Sequence, residues 1–167
     1  RDIEGRVWVG TNGGGVDRVD LRSGEVTHYR HVPRQDGSLA SDQVWSVMED
    51  LMGSIWVGTN NGLDRFIERE QRFEHFRPDR DREDSLSGNY VRSLYQDIQG
   101  RIWVGTNDGL NRMEGYENRF KVFKHDPDDP MSLTSNDVNL VFGDHLGRLW
   151  VATWNSGLHE FDAEREI

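Results

Sequence analysis

The sequence predicts an all-β chain of β-propeller blades, four-stranded and antiparallel, on three observations. Trp8, Trp56, Trp103 and Trp150 recur at spacings of 48, 47 and 47 residues inside matching strings, GRVWVGTNGGGVDR, GSIWVGTNNGLDRF, GRIWVGTNDGLNRM and GRLWVATWNSGLHEF. A second block keeps register with them: Leu39, Leu86 and Leu133 end DGSL, EDSL and PMSL, each ten residues after Tyr29, Phe76 or Phe123. Between tryptophans the runs are short, strand-like and broken by turn residues, and none has a 3.6-residue period. Four strands and one large aromatic per period of this length is how propeller blades repeat, and the turn chemistry excludes helical repeats.

The unit opens with strand a, VWSVMED, VRSLYQD or VNLVFGD, a mostly apolar run begun by valine and of a length suited to a buried strand. It closes on Asp50, Asp97 or Asp144 with Gly three residues later, the Asp-first, Gly-last preference of a type I turn, and Asp2 holds the same place in the first copy. Strand b carries the tryptophan, followed two residues on by Gly10, Gly58, Gly105 or Ala152, a small residue that lets a neighbouring sheet approach. Asn61-Gly62 and Asp108-Gly109 predict two-residue type I′ hairpins, and the first and fourth copies, with one residue more, slightly longer ones. Strand c is GLDRF or its equivalent, strand d the alternating FEHF or FKVF, and a polar loop of about fourteen residues such as RPDRDREDSLSGNY leads to the next strand a. Fourteen strands result, about three and a half blades: a partial blade over 1–31, blades over 32–78 and 79–125, and a partial blade over 126–167. The tryptophans are read as packing residues between adjacent twisted sheets, with a carbohydrate-stacking platform as the alternative.

Composition bounds the function. A net charge of −10 argues against a nucleic-acid surface, since duplex binding rests on cationic neutralisation of phosphates. With no cysteine there is neither a disulfide framework nor a thiolate metal site. No apolar run approaches the ~20 residues of a membrane helix, and the opening RDIEGR has neither an initiator Met nor a signal sequence, so the chain is expected to be a piece of something longer.

The run Asp, two residues, Gly, one residue, aliphatic, Trp-Val-Gly-Thr, then Gly-Leu and Arg, preceded by Ser-Leu and a valine-initiated strand, resembles the two-component regulator propeller repeat. Ala152, Trp154 and His159-Glu160 depart from its pattern in the last copy. The resemblance implies a periplasmic sensor region of a membrane-anchored bacterial signalling protein, typically a hybrid histidine kinase or a diguanylate cyclase, with many kin sensing glycans. It also implies a ring of seven blades, which this chain completes with the remainder of its own propeller or with a second copy, while membrane anchoring comes only through segments outside it.

No catalytic constellation is legible. The repeated aspartates are structural, because a residue needed in every copy serves the fold. The cluster HDPDDP at 125–130 lacks the spacing and central Gly of an EF-hand loop and is read as solvated loop. His28 and His31 lie three apart along a strand, which points their rings to opposite faces, so no metal and no cofactor is assigned. GGG at 13–15 follows a strand but opens no helix, so it is no phosphate loop. Propeller ligands sit where repeats stop agreeing, on loops held by a rigid scaffold. At the start of strand a the aligned residues are Gln43, Tyr90 and Asp137, then Trp45, Arg92 and Asn139, and Trp154 and Asn155 occupy the unusual fourth b–c hairpin. The d–a and b–c loops are expected on one face, so these eight residues form the candidate site for an oligosaccharide or another polar small ligand, ordinary variation of a rim being the bland alternative. A propeller enzyme resembling the streptogramin lyases, and a protein-docking scaffold, are the alternatives to a non-enzymatic sensor.

Overall fold

The structure, a computed structural model, describes residues 1–115 and 117–166. Among the described residues it contains fourteen strands and no helix. β1 (Arg6–Gly10), β2 (Val16–Asp20) and β3 (Val26–Tyr29) form a three-stranded sheet in that order, the b, c and d strands of the first repeat. β4 (Val44–Glu49), β5 (Ile55–Thr59), β6 (Gly62–Ile67) and β7 (Arg72–Phe76) form a complete four-stranded blade, as do β8 (Val91–Gln96), β9 (Ile102–Thr106), β10 (Gly109–Met113) and β11 (Phe120–Phe123). β12 (Val138–Gly143), β13 (Leu149–Thr153) and β14 (Gly157–Phe161) are strands a, b and c of the fourth repeat. All neighbours in each sheet are antiparallel.

Successive sheets meet through their a strands, β4 against β8 and β8 against β12, so these strands form the inner wall of the blade stack. Strand a is therefore less buried than its apolar run predicts. Val44, Val91 and Val138 are buried, but most other positions along β4, β8 and β12 are partly exposed, because one side faces the axis rather than a neighbouring sheet.

The core lies between sheets. Trp56, Leu63 and Phe76 of the second sheet cluster with Leu86, Val91, Ile102 and Phe120, and Trp103 and Leu110 cluster with Leu133, Val138, Leu149 and Phe161. Trp56 and Trp103 are fully buried, as the packing reading of the repeated tryptophan expects. The glycine two residues past each of the first three tryptophans acts as predicted. A Cβ on Gly10, Gly58 or Gly105 would lie 2.5, 2.7 or 2.8 Å from a methyl group of Val44, Val91 or Val138, the residue that opens the next strand a. Real carbon contacts are not that short, so glycine sets the distance between sheets.

Each aspartate turn joins the tryptophan to its own hairpin. Asp50 Oδ1 accepts hydrogen bonds from the amides of Met52 (2.9 Å) and Ser54 (2.8 Å), while Oδ2 accepts one from the Trp56 indole N–H at 2.8 Å. The same bond joins Trp8 to Asp2 and Trp103 to Asp97 at 2.8 Å, and Trp150 to Asp144 at 3.1 Å. One carboxylate thus closes the turn and satisfies the one polar atom of a buried indole. Desolvation works to raise the Asp2 and Asp144 carboxyls, but the tryptophan, arginine and backbone hydrogen bonds prevail and hold both below the ordinary aspartate value.

The b–c hairpins differ from the predicted type I′ form. Thr59 pairs with Gly62, so the two-residue loop is Asn60-Asn61, and neither residue has a positive φ. Only the glycine is left-handed, at φ 108° for Gly62 and 132° for Gly109. The threonine side chain closes the loop: Thr59 Oγ1 accepts from Asn61 N (3.0 Å) and donates to Gly62 O (2.9 Å). Glycine is needed because a Cβ on Gly62 would lie 2.5 Å from the Phe76 carbonyl oxygen.

Candidate functional site

The d–a and b–c loops lie on one face, joined by Ser87 Oγ with Thr106 Oγ1 (2.9 Å), Thr134 Oγ1 with Thr153 Oγ1 (3.3 Å), and Asn61 Nδ2 donating to Ala40 O (3.2 Å). The start of each a strand opens onto this face. There the pairing of strands a and b shifts register between Val44 and Ser46, between Val91 and Ser93, and between Val138 and Leu140. The extra residue in each is Trp45, Arg92 or Asn139. A bulge turns its side chain out of the regular alternation, and such features recur beside functional sites. Three of the eight predicted positions therefore share one backbone device, placed on three consecutive inner strands.

Trp45 is half-exposed, and its indole N–H donates to Asn60 Oδ1, whose amide in turn donates to Gln43 Oε1. Gln43 also forms an isolated bridge with Asn12, linking the first b–c loop to the second sheet. Tyr90 exposes nearly half of its surface beside Asn107, which accepts the Tyr90 amide at 3.0 Å. Arg92 pairs with Asp137, and its guanidinium lies 5.8 Å from the centre of the Trp154 ring. Arg92 is thereby a brace between the third and fourth sheets, its charge already matched. Asn139 and Asn155 are exposed, and Asn155 holds a left-handed φ of 65° in the three-residue loop between Thr153 and Gly157.

The structure thus brings the eight residues to one face, and five of them fall in two groups. Gln43 and Trp45 lie with Asn60 on the second sheet, and Arg92, Asp137 and Trp154 form an ion-paired, stacked cluster across the third and fourth. Exposed Trp45, Tyr90 and Trp154 present three aromatic rings on successive sheets, flanked by amides.

Asn60 and Asn107 were missed as site residues. Their signal was the repeated Thr-Asn after strand b, which reads as turn chemistry alone. The asparagine amide bonds back to the start of strand a, Asn60 N to Gln43 O and Asn107 N to Tyr90 O, both at 3.2 Å. In the fourth copy Trp154 takes the asparagine's place and keeps that bond, its N donating to Asp137 O at 2.8 Å, while its ring receives Arg92.

Four-stranded antiparallel sheets packed through repeated tryptophans, with their inner strands side by side, define a β-propeller built of repeats. The sequence profile of the two-component regulator propeller matches residues 85–108 and 132–155, each running from the Ser-Leu loop through strand a to the b–c hairpin. A search of curated proteins finds no relative. Among solved structures, the extracellular domain of a hybrid two-component system of B. thetaiotaomicron matches 99% of this chain and 22% of its own, with TM-score 0.80 and 20% identity. PorZ, an essential surface component of the type-IX secretion system of Porphyromonas gingivalis, matches 99% of this chain and 25% of its own (TM-score 0.71, 16% identity). Virginiamycin B lyase of Staphylococcus aureus matches 96% and 53% (TM-score 0.64, 18% identity). At these identities the likeness is one of fold, and the chain spans from about a fifth to about half of the structures it matches.

Proposed function

We propose that this chain is a segment of a non-enzymatic sensor propeller, exposed on the periplasmic or extracellular side of a bacterial transmembrane signalling protein, and that its upper face takes an oligosaccharide or a similar polar ligand. The observation that carries this reading is the set of three equivalent bulges that put Trp45, Arg92 and Asn139 on one face beside exposed Tyr90 and Trp154. Aromatic rings offer flat apolar surface to sugar C–H groups, and Gln43, Asn60, Asn139 and Asn155 offer hydrogen bonds in both directions. The family repeats and the two-component neighbour support a signalling context. The lyase-like alternative is less favoured, because the eight site residues include no histidine to serve as a base.

The test is an oligosaccharide screen by calorimetry, followed by variants. Trp45→Ala and Tyr90→Ala are expected to weaken an identified sugar by about tenfold or more, roughly 1.4 kcal/mol, with the melting temperature unchanged. A ligand that binds equally well to both variants, or that occupies the Asp50-bearing face, would overturn the reading.

The same proposal extends to partners. The first sheet has no strand a beside β1, and β14 has no strand d beside it, among the described residues. Unpaired edges and apolar sheet faces are association sites. We expect the isolated chain to pair through its terminal sheets as a homodimer, in place of the remainder of its own propeller. Light scattering coupled to size exclusion should give twice the chain mass at tens of micromolar, and a monomer at that concentration would refute it.

A further inference from the structure

At the outer, strand d side of the same face, the loop joining β3 to β4 lies over the end of β7 and borders a half-open cavity of about 180 Å³, whose polar lining includes His31, Arg34, Asp36, His75 and Arg77. We propose that this cavity is an oxyanion site, taking a carboxylate, phosphate or sulfate group between the two imidazoles and the Arg77 guanidinium.

Both walls of the cavity are set by one buried carboxylate. Asp64 on β6 has no exposed surface. Its Oδ1 pairs with His75 Nδ1 at 2.7 Å, and its Oδ2 accepts the amide of Ala40, in the covering loop, at 2.7 Å. On the loop side His31 Nδ1 lies 2.8 Å from the Leu39 carbonyl oxygen, which only accepts, so Nδ1 carries the proton. Each imidazole is therefore oriented through Nδ1. Each Nε2 is without a hydrogen-bond partner among the described residues, and both rings line the same small space.

The cationic character of the cavity is specific to this blade. The first residue after strand d is basic in the first three repeats, and elsewhere a carboxylate neutralises it. Arg30 pairs with Asp17 at 2.9 Å, and Lys124 pairs with Asp108 at 2.7 Å. Arg77 instead donates through Nε to the Asn61 carbonyl oxygen at 3.1 Å, because Asn61 stands where the third repeat has Asp108. Arg34 likewise has no ion pair among the described residues. In a chain of net charge −10 two guanidinium groups without an ion pair at one cavity run against the general trend. Asp36 is the acidic residue of the lining, and Asp64 lies behind the His75 ring. A second pocket, beside loop 126–133, is lined by Lys124 with Asp126, Asp129 and Glu166. The Arg77 guanidinium supplies directed N–H donors for a tetrahedral or planar oxyanion, and each imidazole, its Nδ1 proton already engaged, adds one through Nε2 in its doubly protonated form.

The experiment is a titration of the chain with sodium phosphate at constant ionic strength, read from the ring ¹H–¹⁵N correlations of its histidines, with sulfate and acetate as parallel arms that separate the three anions. The His31 and His75 signals should shift saturably in at least one arm, while His125, which holds the equivalent of the His31 position, should not. Arg77→Ala should weaken that binding about tenfold or more. Asn61→Asp, which removes no group from the cavity but supplies the carboxylate that Lys124 has, should weaken it similarly, with both variants melting as the parent does. Shifts that grow linearly with anion, that appear equally at His125, or that persist in Arg77→Ala would overturn the assignment.

Discussion

Trp56 and Trp103 are fully buried, whereas Trp8 and Trp150 remain partly exposed, although all four donate the same hydrogen bond to the aspartate six residues before them. The inner pair have two kinds of neighbour. Within their own sheet Met48 and Tyr95, on strand a, sit opposite them, and the following sheet covers them with residues such as Phe120 and Phe161. Trp8 is covered by Phe66 of the following sheet at 5.2 Å but has no strand a at its side. Trp150 has Phe142 across from it on β12 but no following sheet among the described residues. Local hydrogen bonding is thus a property of one hairpin, and burial is a property of the stack. Stability in such arrays is a sum over blades and their interfaces, and the terminal members contribute less.

The largest effect that tests this contrast is on the tryptophans themselves. Trp56→Ala and Trp103→Ala are expected to cost about 3–5 kcal/mol in denaturant unfolding, with Trp8→Ala and Trp150→Ala costing clearly less. Equal losses at all four positions would mean that the hairpin, and not the neighbouring sheet, supplies the energy.

A smaller change is expected at the aspartate. Asp97→Ala leaves the Trp103 indole N–H and the amides of Gln99 and Arg101 without their acceptor in a buried setting, a loss of about 1.5–3 kcal/mol. Asp144→Ala should lose less, since Trp150 is partly exposed and water can replace the carboxylate. Identical melting shifts for the two variants would remove the distinction between inner and terminal sheets.

The smallest effect is one of pH. The Asp2 and Asp144 carboxyls titrate below the ordinary aspartate value of 3.8 in the folded chain. A carboxyl depressed in the folded state contributes stability that is complete above its unfolded value and is lost as pH falls through the folded one. The terminal sheets should therefore loosen as pH drops below about 4. Hydrogen exchange of β1 and β13 amides should rise over that range, and Asp144→Asn should flatten the response in β13 alone.

The upper face was legible because repetition makes exceptions visible. Gln43, Tyr90 and Asp137, with Trp45, Arg92 and Asn139, stood out as positions that differ where the surrounding valines agree. What was not legible is how their side chains divide the work. That Arg92 is held by Asp137 and Trp154, and that Asn60 holds Trp45, depends on contacts between residues 15 to 62 positions apart in sequence. The hairpin geometry misled for a related reason. Asn61-Gly62 has the local signature of a type I′ turn, but the loop is Asn60-Asn61 closed by Thr59, and glycine follows it because the Phe76 carbonyl on strand d leaves no room for a Cβ.

By itself the sequence determined the all-β class, the period, the strand order within each blade and the register of tryptophan, glycine and aspartate, since these follow from alternation and turn chemistry, which act over a few residues. Only the tertiary structure decided which tryptophans are buried, which charges are matched, and that one buried carboxylate, Asp64, orients a histidine and a loop around a basic cavity. Those outcomes depend on what the neighbouring blade places opposite each residue, and a hydrogen bond or an ion pair is made or lost over less than the diameter of a water molecule.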